Sequence, residues 1–238
     1  MLEECVQDGI EGRVTDPGCC LMSEFQTQTV YISVDTVRLE GTLALPQGAK
    51  AAVIFAHGSG SSRFSPRNRY VAQMLNAAGI GTLLFDLLTR DEDSAYENRF
   101  NIALLTERLK AVTRWLQDQP ESIGLSIGYF GASTGAAAAL WAAADLGPEI
   151  KAVVSRGGRP DMAERVLGKV QAPTLLIVGG YDETVIRLNE EAFAFLKAEK
   201  ELKIIPRATH LFEEPGALEE VARLAAEWFT KHLLMKRQ

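Results

Sequence analysis

The chain of 238 residues is long enough to bury one hydrophobic core, and its 47% hydrophobic and 24% charged residues are ordinary for a globular protein. A formal net charge of −6 and a pI near 5.2 argue against nucleic acid as a partner, because a basic surface is needed to displace counterions from phosphates. No apolar run approaches the roughly 20 residues of a membrane-spanning helix, so we expect no membrane partner either.

The start of the chain has a different character from the rest. Residues 1–25 mix Gly, Pro, Asp and Cys without periodicity, which predicts a partly ordered extension ahead of a single domain at 26–238. This segment is acidic and lacks the apolar stretch of a signal peptide. It holds all three cysteines, Cys5, Cys19 and Cys20, and no histidine lies near them to complete a metal site. We expect incidental thiols in a reducing cytoplasm, and no cofactor.

Strand and helix patterns alternate along the remaining chain. Alternating apolar residues predict two strands, 29–34 and 37–45, that form an antiparallel hairpin at one sheet edge. Residues 51–56 are apolar throughout, as in a strand covered on both faces. Further strands are predicted at 82–88, 127–130, 151–154, 174–178 and 202–205, with helices at 66–78, 98–118, 136–141, 161–167, 185–198 and from 215 onward, and an acidic loop at 91–97. This alternation predicts an α/β fold with a mostly parallel, doubly wound sheet of about eight strands.

The stretch 126–140 is the centre of the functional prediction. An apolar strand leads into Gly131-Ala132-Ser133-Thr134-Gly135, and an alanine-rich helix follows. A serine on a glycine-rich turn between a strand and a helix is typical of a nucleophile elbow. The small neighbours permit a strained turn that raises the serine hydroxyl above the sheet edge. The helix N-terminus directs partial positive charge toward an anion that develops there.

Two further reactive side chains follow predicted strands. Asp182 lies two residues beyond Gly179-Gly180, and His210 comes after the last strand. Because ligands of open α/β sheets lie beyond the carboxyl ends of the strands, we expect both side chains near Ser133. The chain order of serine, acid and histidine is that of a hydrolase triad, in which histidine moves the serine proton and the carboxylate orients the ring. Glu183 is the alternative acid.

Other titratable residues are interpreted differently. The chain has three histidines, and His232 in the last turn of the closing helix is predicted to be a surface or helix-dipole residue. His57 directly follows a central strand and belongs to a glycine loop. Asp86 also follows a strand, and we interpret it as a helix- or loop-bonding carboxylate. His210 is therefore the predicted base.

The loop His57-Gly58-Ser59-Gly60 has a predicted role of its own. Acyl transfer develops an oxyanion that needs two preorganised N–H donors. The backbone of Thr134, directly after the predicted nucleophile, is the first expected donor. The second is the backbone of Ser59. The alternative interpretation of this loop is a plain glycine turn.

These segments resemble the α/β-hydrolase superfamily and, within it, the dienelactone-hydrolase-like group. The resemblance covers residues 30–235 and is carried by the His57 loop, the Ser133 turn, 179–182 and 209–212. It implies an α/β-hydrolase fold, and no large lid, because only 155–172 occupy the place where lipases insert one. Dienelactone hydrolases use cysteine where this chain has Ser133, which favours general ester chemistry. Some relatives carry a phosphoribosyltransferase-like domain in front, for which 1–25 are too short.

Two arginines also lie on the predicted ligand side of the sheet. Arg156 and Arg159 flank Gly157-Gly158 after a strand, and guanidinium groups suit carboxylates. Binding of a substrate carboxylate is one interpretation, and a structural salt bridge to Asp161 or Glu164 is the other.

The complete sequence interpretation is a cofactor-free serine hydrolase. We expect it to cleave small soluble carboxylic esters, lactones or thioesters through an acyl-enzyme on Ser133. The alternative is a noncatalytic protein that retains the hydrolase scaffold to bind a ligand or partner.

Overall fold

A computed structural model describes residues 27–235, which form a single sheet with helices on both faces. The strands are β1 (Thr27–Val34), β2 (Val37–Ala44), β3 (Ala51–Ala56), β4 (Gly81–Phe85), β5 (Ser126–Ala132), β6 (Ile150–Arg156), β7 (Thr174–Gly179) and β8 (Lys200–Ile205). The helices are α1 (Pro66–Ala77), α2 (Arg90–Ser94), α3 (Ile102–Gln117), α4 (Thr134–Leu146), α5 (Glu164–Leu167), α6 (Glu183–Phe195) and α7 (Ala217–Phe229). The predicted extension 1–25, with its three cysteines, lies outside the described residues.

The sheet is the predicted one. Its eight strands lie in the order β1-β2-β4-β3-β5-β6-β7-β8. Strands β1 and β2 form an antiparallel hairpin, and β2 pairs antiparallel with β4. All pairs from β4 to β8 are parallel, so their carboxyl ends share one edge. This confirms an α/β-hydrolase fold with an N-terminal antiparallel hairpin.

Helices cover both faces of the sheet because its central strands are apolar on both sides. Every residue of β3 and β7 is buried. Helices α3, α4 and α6 pack into the core on one face, and α1 and α7 pack into the core on the other. Apolar residues at helical spacing form the face that α7 turns toward the sheet, and Val221, Ala225 and Phe229 on it are fully buried. None of the helices in 27–235 is both long and apolar enough to cross a membrane.

The predicted acidic loop at 91–97 is wrong. That stretch contains α2 and a 3-10 turn, Tyr96–Phe100. The reason is a capping box: the Thr89 hydroxyl accepts the Glu92 N–H at 3.2 Å, and the Glu92 carboxylate accepts the Thr89 N–H at 2.9 Å. The largely buried Arg108 of α3 donates to the same carboxylate at 2.7 Å. A short helix is thus stabilised by contacts that acidic composition does not reveal.

Other element boundaries differ by a few residues. Strand β4 ends at Phe85, three residues before its predicted end. Directly after it, Asp86 and Leu87 form hydrogen bonds with the loop that follows β3. Helix α3 begins at Ile102, later than predicted, and the Asn101 side chain caps it by accepting the Leu104 N–H at 3.1 Å. Between β6 and β7 the described chain forms only a 3-10 turn, Pro160–Ala163, and α5, so no large lid is inserted there.

Candidate active site

Ser133 lies between the end of β5 and the start of α4, as predicted. Its backbone has φ 50° and ψ −122°, a conformation that L-residues other than glycine adopt rarely and at a cost. The turn is fixed by backbone hydrogen bonds on both sides. The Ser133 N–H donates to the Arg156 carbonyl at 3.2 Å, and the Ser133 carbonyl accepts the Arg159 N–H at 3.1 Å. The surrounding structure therefore maintains a strained serine at the sheet edge.

Gly135, two residues after Ser133, has no room for a side chain because the chain packs closely around it. A β-carbon on Gly135 would lie 2.2 Å from the Ala56 carbonyl oxygen and 2.4 Å from that of His57. The first turn of α4 thus packs directly against the end of β3. This contact brings the Ser133 turn beside the loop that begins at His57.

His210 and Asp182 meet at the same sheet edge. The His210 Nδ1 atom lies 2.6 Å from Asp182 Oδ2, a hydrogen-bonding distance. The two loops that carry them are joined by backbone hydrogen bonds, including Gly180 N–H to the Ile205 carbonyl at 2.8 Å and Tyr181 N–H to the Ala208 carbonyl at 2.9 Å. The predicted base and acid are therefore brought together. The alternative acid, Glu183, begins α6 with an exposed side chain.

A third loop contacts the imidazole and relates it to Ser133. A β-carbon on Gly157, which has φ 52°, would lie 3.4 Å from both Cε1 and Nδ1 of His210. The backbone carbonyl of Arg156, the residue before Gly157, accepts the Ser133 N–H. Within 27–235 no hydrogen bond yet links the Ser133 hydroxyl to His210. Catalytic hydrogen bonds of this kind commonly shorten only when substrate binds.

The two predicted oxyanion donors are also neighbours. Thr134 is the first residue of α4 and is only 2% exposed. The Ser59 N–H donates to the Thr134 hydroxyl oxygen at 3.0 Å. The loop after β3 thus reaches the Ser133 turn, but the Ser59 amide is engaged by a side chain.

His57 has a structural role that the sequence interpretation missed. Its Nδ1 atom lies 2.9 Å from the Gly58 carbonyl, and its Nε2 atom accepts the Leu87 N–H at 3.0 Å. This pair of contacts requires a neutral ring with its hydrogen on Nδ1. Burial lowers the pKa of His57 and outweighs the opposite effect of the Gly58 hydrogen bond. Its position directly after a central strand, ahead of a glycine loop, is the signal that could have indicated this role.

The same loop is attached to β4 by a second contact. Asp86 accepts hydrogen bonds from the Arg63 N–H at 2.8 Å and from the Arg63 guanidinium. This confirms the interpretation of Asp86 as a loop-bonding carboxylate.

A cavity of about 480 Å³ lies beside this ion pair and is lined by charged side chains of both signs and by two serine hydroxyls. Its polar lining residues include Arg38, Glu40, Ser61, Ser62, Arg63, Asp86, Arg90 and Asp93.

Comparison with known proteins identifies the family of this fold and site. The sequence model of the Dienelactone hydrolase family matches residues 39–235. The chain belongs to this family. The solved dienelactone hydrolase of Anabaena variabilis is 56% identical, with a TM-score of 0.85 covering 88% of this chain and 99% of that one. Est1E of Butyrivibrio proteoclasticus shares the fold at 19% identity, with a TM-score of 0.76 covering 87% of this chain and 99% of that one. Family and fold identify a hydrolase.

Longer relatives carry a different name. Two proteins from strains of Mycobacterium tuberculosis, each called "Putative phosphoribosyl transferase", are 55% identical over 206 residues, which is 87% of this chain and 46% of each relative. The chain thus spans about half the length of the curated relatives it matches. That printed name belongs to the whole relative, of which this chain matches 46%.

The two arginines of this dienelactone hydrolase family member have different environments. Arg159 forms two hydrogen bonds with the Asp161 carboxylate, at 2.9 and 2.8 Å. Arg156 is only 7% exposed, and among the described residues no carboxylate lies within ion-pair distance of it. Its guanidinium donates to the Asn68 side chain at 3.3 Å. Burial, with a smaller contribution from the charge of Arg67, lowers the pKa of Arg156 to about 10.

The surface interpretation of His232 is wrong. Its side chain is 4% exposed, and its ring packs 4.4 Å from that of Trp228, measured between centroids. This ring belongs to the π-helical turn Thr230–Leu234, which directly continues α7. Among the described residues, no group of three or more His, Cys, Asp or Glu side chains is placed to hold a metal ion.

Proposed function

We propose that the protein is a serine hydrolase that cleaves small carboxylic esters, lactones or thioesters through an acyl-enzyme on Ser133. The observation that carries this proposal is the 2.6 Å contact between His210 Nδ1 and Asp182 Oδ2, formed by loops that adjoin the strained serine turn. Membership of a hydrolase family supports it. A serine at the position of the family's nucleophile favours ester chemistry beyond dienelactones.

The proposed reaction has two halves. The Ser133 oxygen attacks the substrate carbonyl while His210 Nε2 takes the hydroxyl proton, and the carbonyl electron pair moves onto oxygen. The bond to the leaving group then breaks as His210 returns the proton to it. Water, activated by the same imidazole, releases the acid. Asp182 keeps the hydrogen of the ring on Nδ1 and stabilises the imidazolium that forms.

The start of α4 would stabilise the oxyanion. The Thr134 N–H is the first donor after the nucleophile, and it lies at the positive end of the helix dipole. The loop containing Ser59 adjoins this donor, and the Ser59 N–H donates to the Thr134 hydroxyl oxygen at 3.0 Å.

Arg156 is the proposed substrate-binding arginine. A buried cation without a carboxylate partner is costly, so its retention is explained if a bound anion neutralises it. Its backbone carbonyl bonds the Ser133 turn, which relates this residue to the reacting bond. We infer that esters with a free carboxylate are better substrates than neutral ones. Arg159 is a weaker candidate because Asp161 already neutralises it.

Covalent labelling tests the proposal. A fluorophosphonate probe should modify Ser133 in the folded protein, and p-nitrophenyl acetate should be hydrolysed. Ser133→Ala should abolish both, whereas Ser33→Ala, on the exposed face of β1, should leave both unchanged. Absence of labelling together with absence of turnover in the wild-type protein would reject the enzyme and favour the noncatalytic alternative.

A further inference from the structure

The Thr134 hydroxyl accepts the hydrogen bond from the Ser59 N–H that a substrate oxygen would otherwise accept. The Ser59 N–H donates to Thr134 Oγ1 at 3.0 Å, and an amide can only donate in such a contact. The hydroxyl oxygen is therefore the acceptor, and its own hydrogen points elsewhere. The Ser59 amide has no second hydrogen to offer an oxyanion.

The hydrogen of the Thr134 hydroxyl has no protein acceptor among the described residues. Thr113 provides the contrast, since its hydroxyl donates at 2.8 Å to the carbonyl of Leu109, four residues earlier in α3. Thr134 begins its helix, so no preceding helical turn presents a carbonyl to it. A nearly buried hydroxyl is thus left with a free donor directly after the predicted nucleophile.

The Thr134 hydroxyl lies where the loop after β3 meets the Ser133 turn. A β-carbon on Gly58 would lie 3.0 Å from Ser133 Cβ, so this loop and the serine turn are in contact. The next residue of the loop, Ser59, bonds the hydroxyl of Thr134, the residue that directly follows Ser133. An oxyanion formed by attack of Ser133 is therefore expected to arise beside this hydroxyl.

We propose that the Thr134 side-chain hydroxyl is an oxyanion donor, acting together with the Thr134 N–H, and that Ser59 is a positioning residue. This proposal rests on the proposed serine hydrolase function. As the bond from Ser133 to the carbonyl carbon forms, the electron pair displaced onto oxygen accepts a hydrogen bond from the hydroxyl. Thr134 keeps its proton throughout, and the Ser133 proton goes to His210. The Ser59 N–H orients and polarises the hydroxyl.

A matched pair of variants tests the hydroxyl. Thr134→Val keeps the size and the buried methyl group but removes the hydroxyl, whereas Thr134→Ser keeps the hydroxyl and removes the methyl. With p-nitrophenyl acetate we expect Val to lower kcat by about 10²- to 10³-fold with little change in KM, the loss typical of one oxyanion donor. The kcat of Thr134→Ser should stay within several-fold of the wild-type value. Thr134→Ala carries the same expectation as Val and replaces it if Val fails to fold.

The outcomes separate this inference from the proposed function. A Val or Ala variant that keeps wild-type kcat would overturn the inference alone, because it would show that the freed Ser59 amide serves as the donor. Equal losses in Ser and Val, with lowered thermal stability, would assign Thr134 a packing role and also overturn it. A wild-type protein that neither labels nor turns over substrate would reject the proposed function, and the inference with it.

Discussion

Gly135 lies so close to Ala56 that a β-carbon on the glycine would be 2.2 Å from the alanine carbonyl oxygen. We expect Gly135→Ala to push α4 away from β3, lowering the free energy of unfolding by about 1–3 kcal/mol and displacing Ser133. Calorimetry and esterase assays measure both effects. Gly168→Ala is the matched control, since its nearest contact would be 3.7 Å and its φ is −67°. Equal stability of the two variants would contradict the close-packing argument.

The contact between Asp182 and His210 gives a second prediction. Asp182→Asn replaces a carboxylate acceptor with an amide that can donate to Nδ1, which favours the wrong tautomer. We expect kcat to fall on the order of 10⁴-fold while the protein still folds, by analogy with the same change in other triads. Glu183→Gln, at the exposed neighbour, should change kcat little. Loss of activity in the Glu183 variant but not in the Asp182 variant would reverse the assignment of the acid.

The buried His57 predicts a pH-dependent stability. Burial lowers its pKa in the folded state, so the unfolded chain binds this proton more readily. Stability is therefore lost as the pH falls below about 6.5, with a slope of at most about 1.4 kcal/mol per pH unit from this group. Urea unfolding of His57→Gln should show a free energy of unfolding that lacks this pH-dependent loss between about pH 7 and about pH 5. Parallel profiles of the two proteins would show that His57 does not titrate differently on unfolding.

Arg156 predicts opposite effects on stability and on substrate choice. Arg156→Met removes a buried charge without a carboxylate partner, and we expect equal or greater stability, by up to about 4 kcal/mol. It should also lower kcat/KM for an ester bearing a free carboxylate by about tenfold or more relative to p-nitrophenyl acetate, since a charge-assisted hydrogen bond is lost. Arg159→Met is the control. A uniform loss on both substrates would point to a structural Arg156.

The sequence was informative where local pattern and final structure coincide. The apolar run of β3 predicts a strand covered on both faces, and the glycine-flanked Ser133 predicts a turn between a strand and a helix. Chain order was enough to expect Asp182 beside His210. The helix at Arg90–Ser94 was not predictable from acidic composition, because its capping box and its bond to Arg108 depend on tertiary contact. The same holds for the hydrogen bond from Ser59 to Thr134, which joins residues far apart in the chain.

Helix α4 links the order of folding to the appearance of activity. Ten of its 13 residues are buried, and they are mostly alanine, so little of this helix is suited to contact with water. Such a helix derives its stability from the layers that cover it, which here are the sheet and α3. We expect the Ser133 turn to be completed only once those layers have assembled. During refolding, recovery of ester hydrolysis should then lag behind recovery of the helical circular dichroism signal.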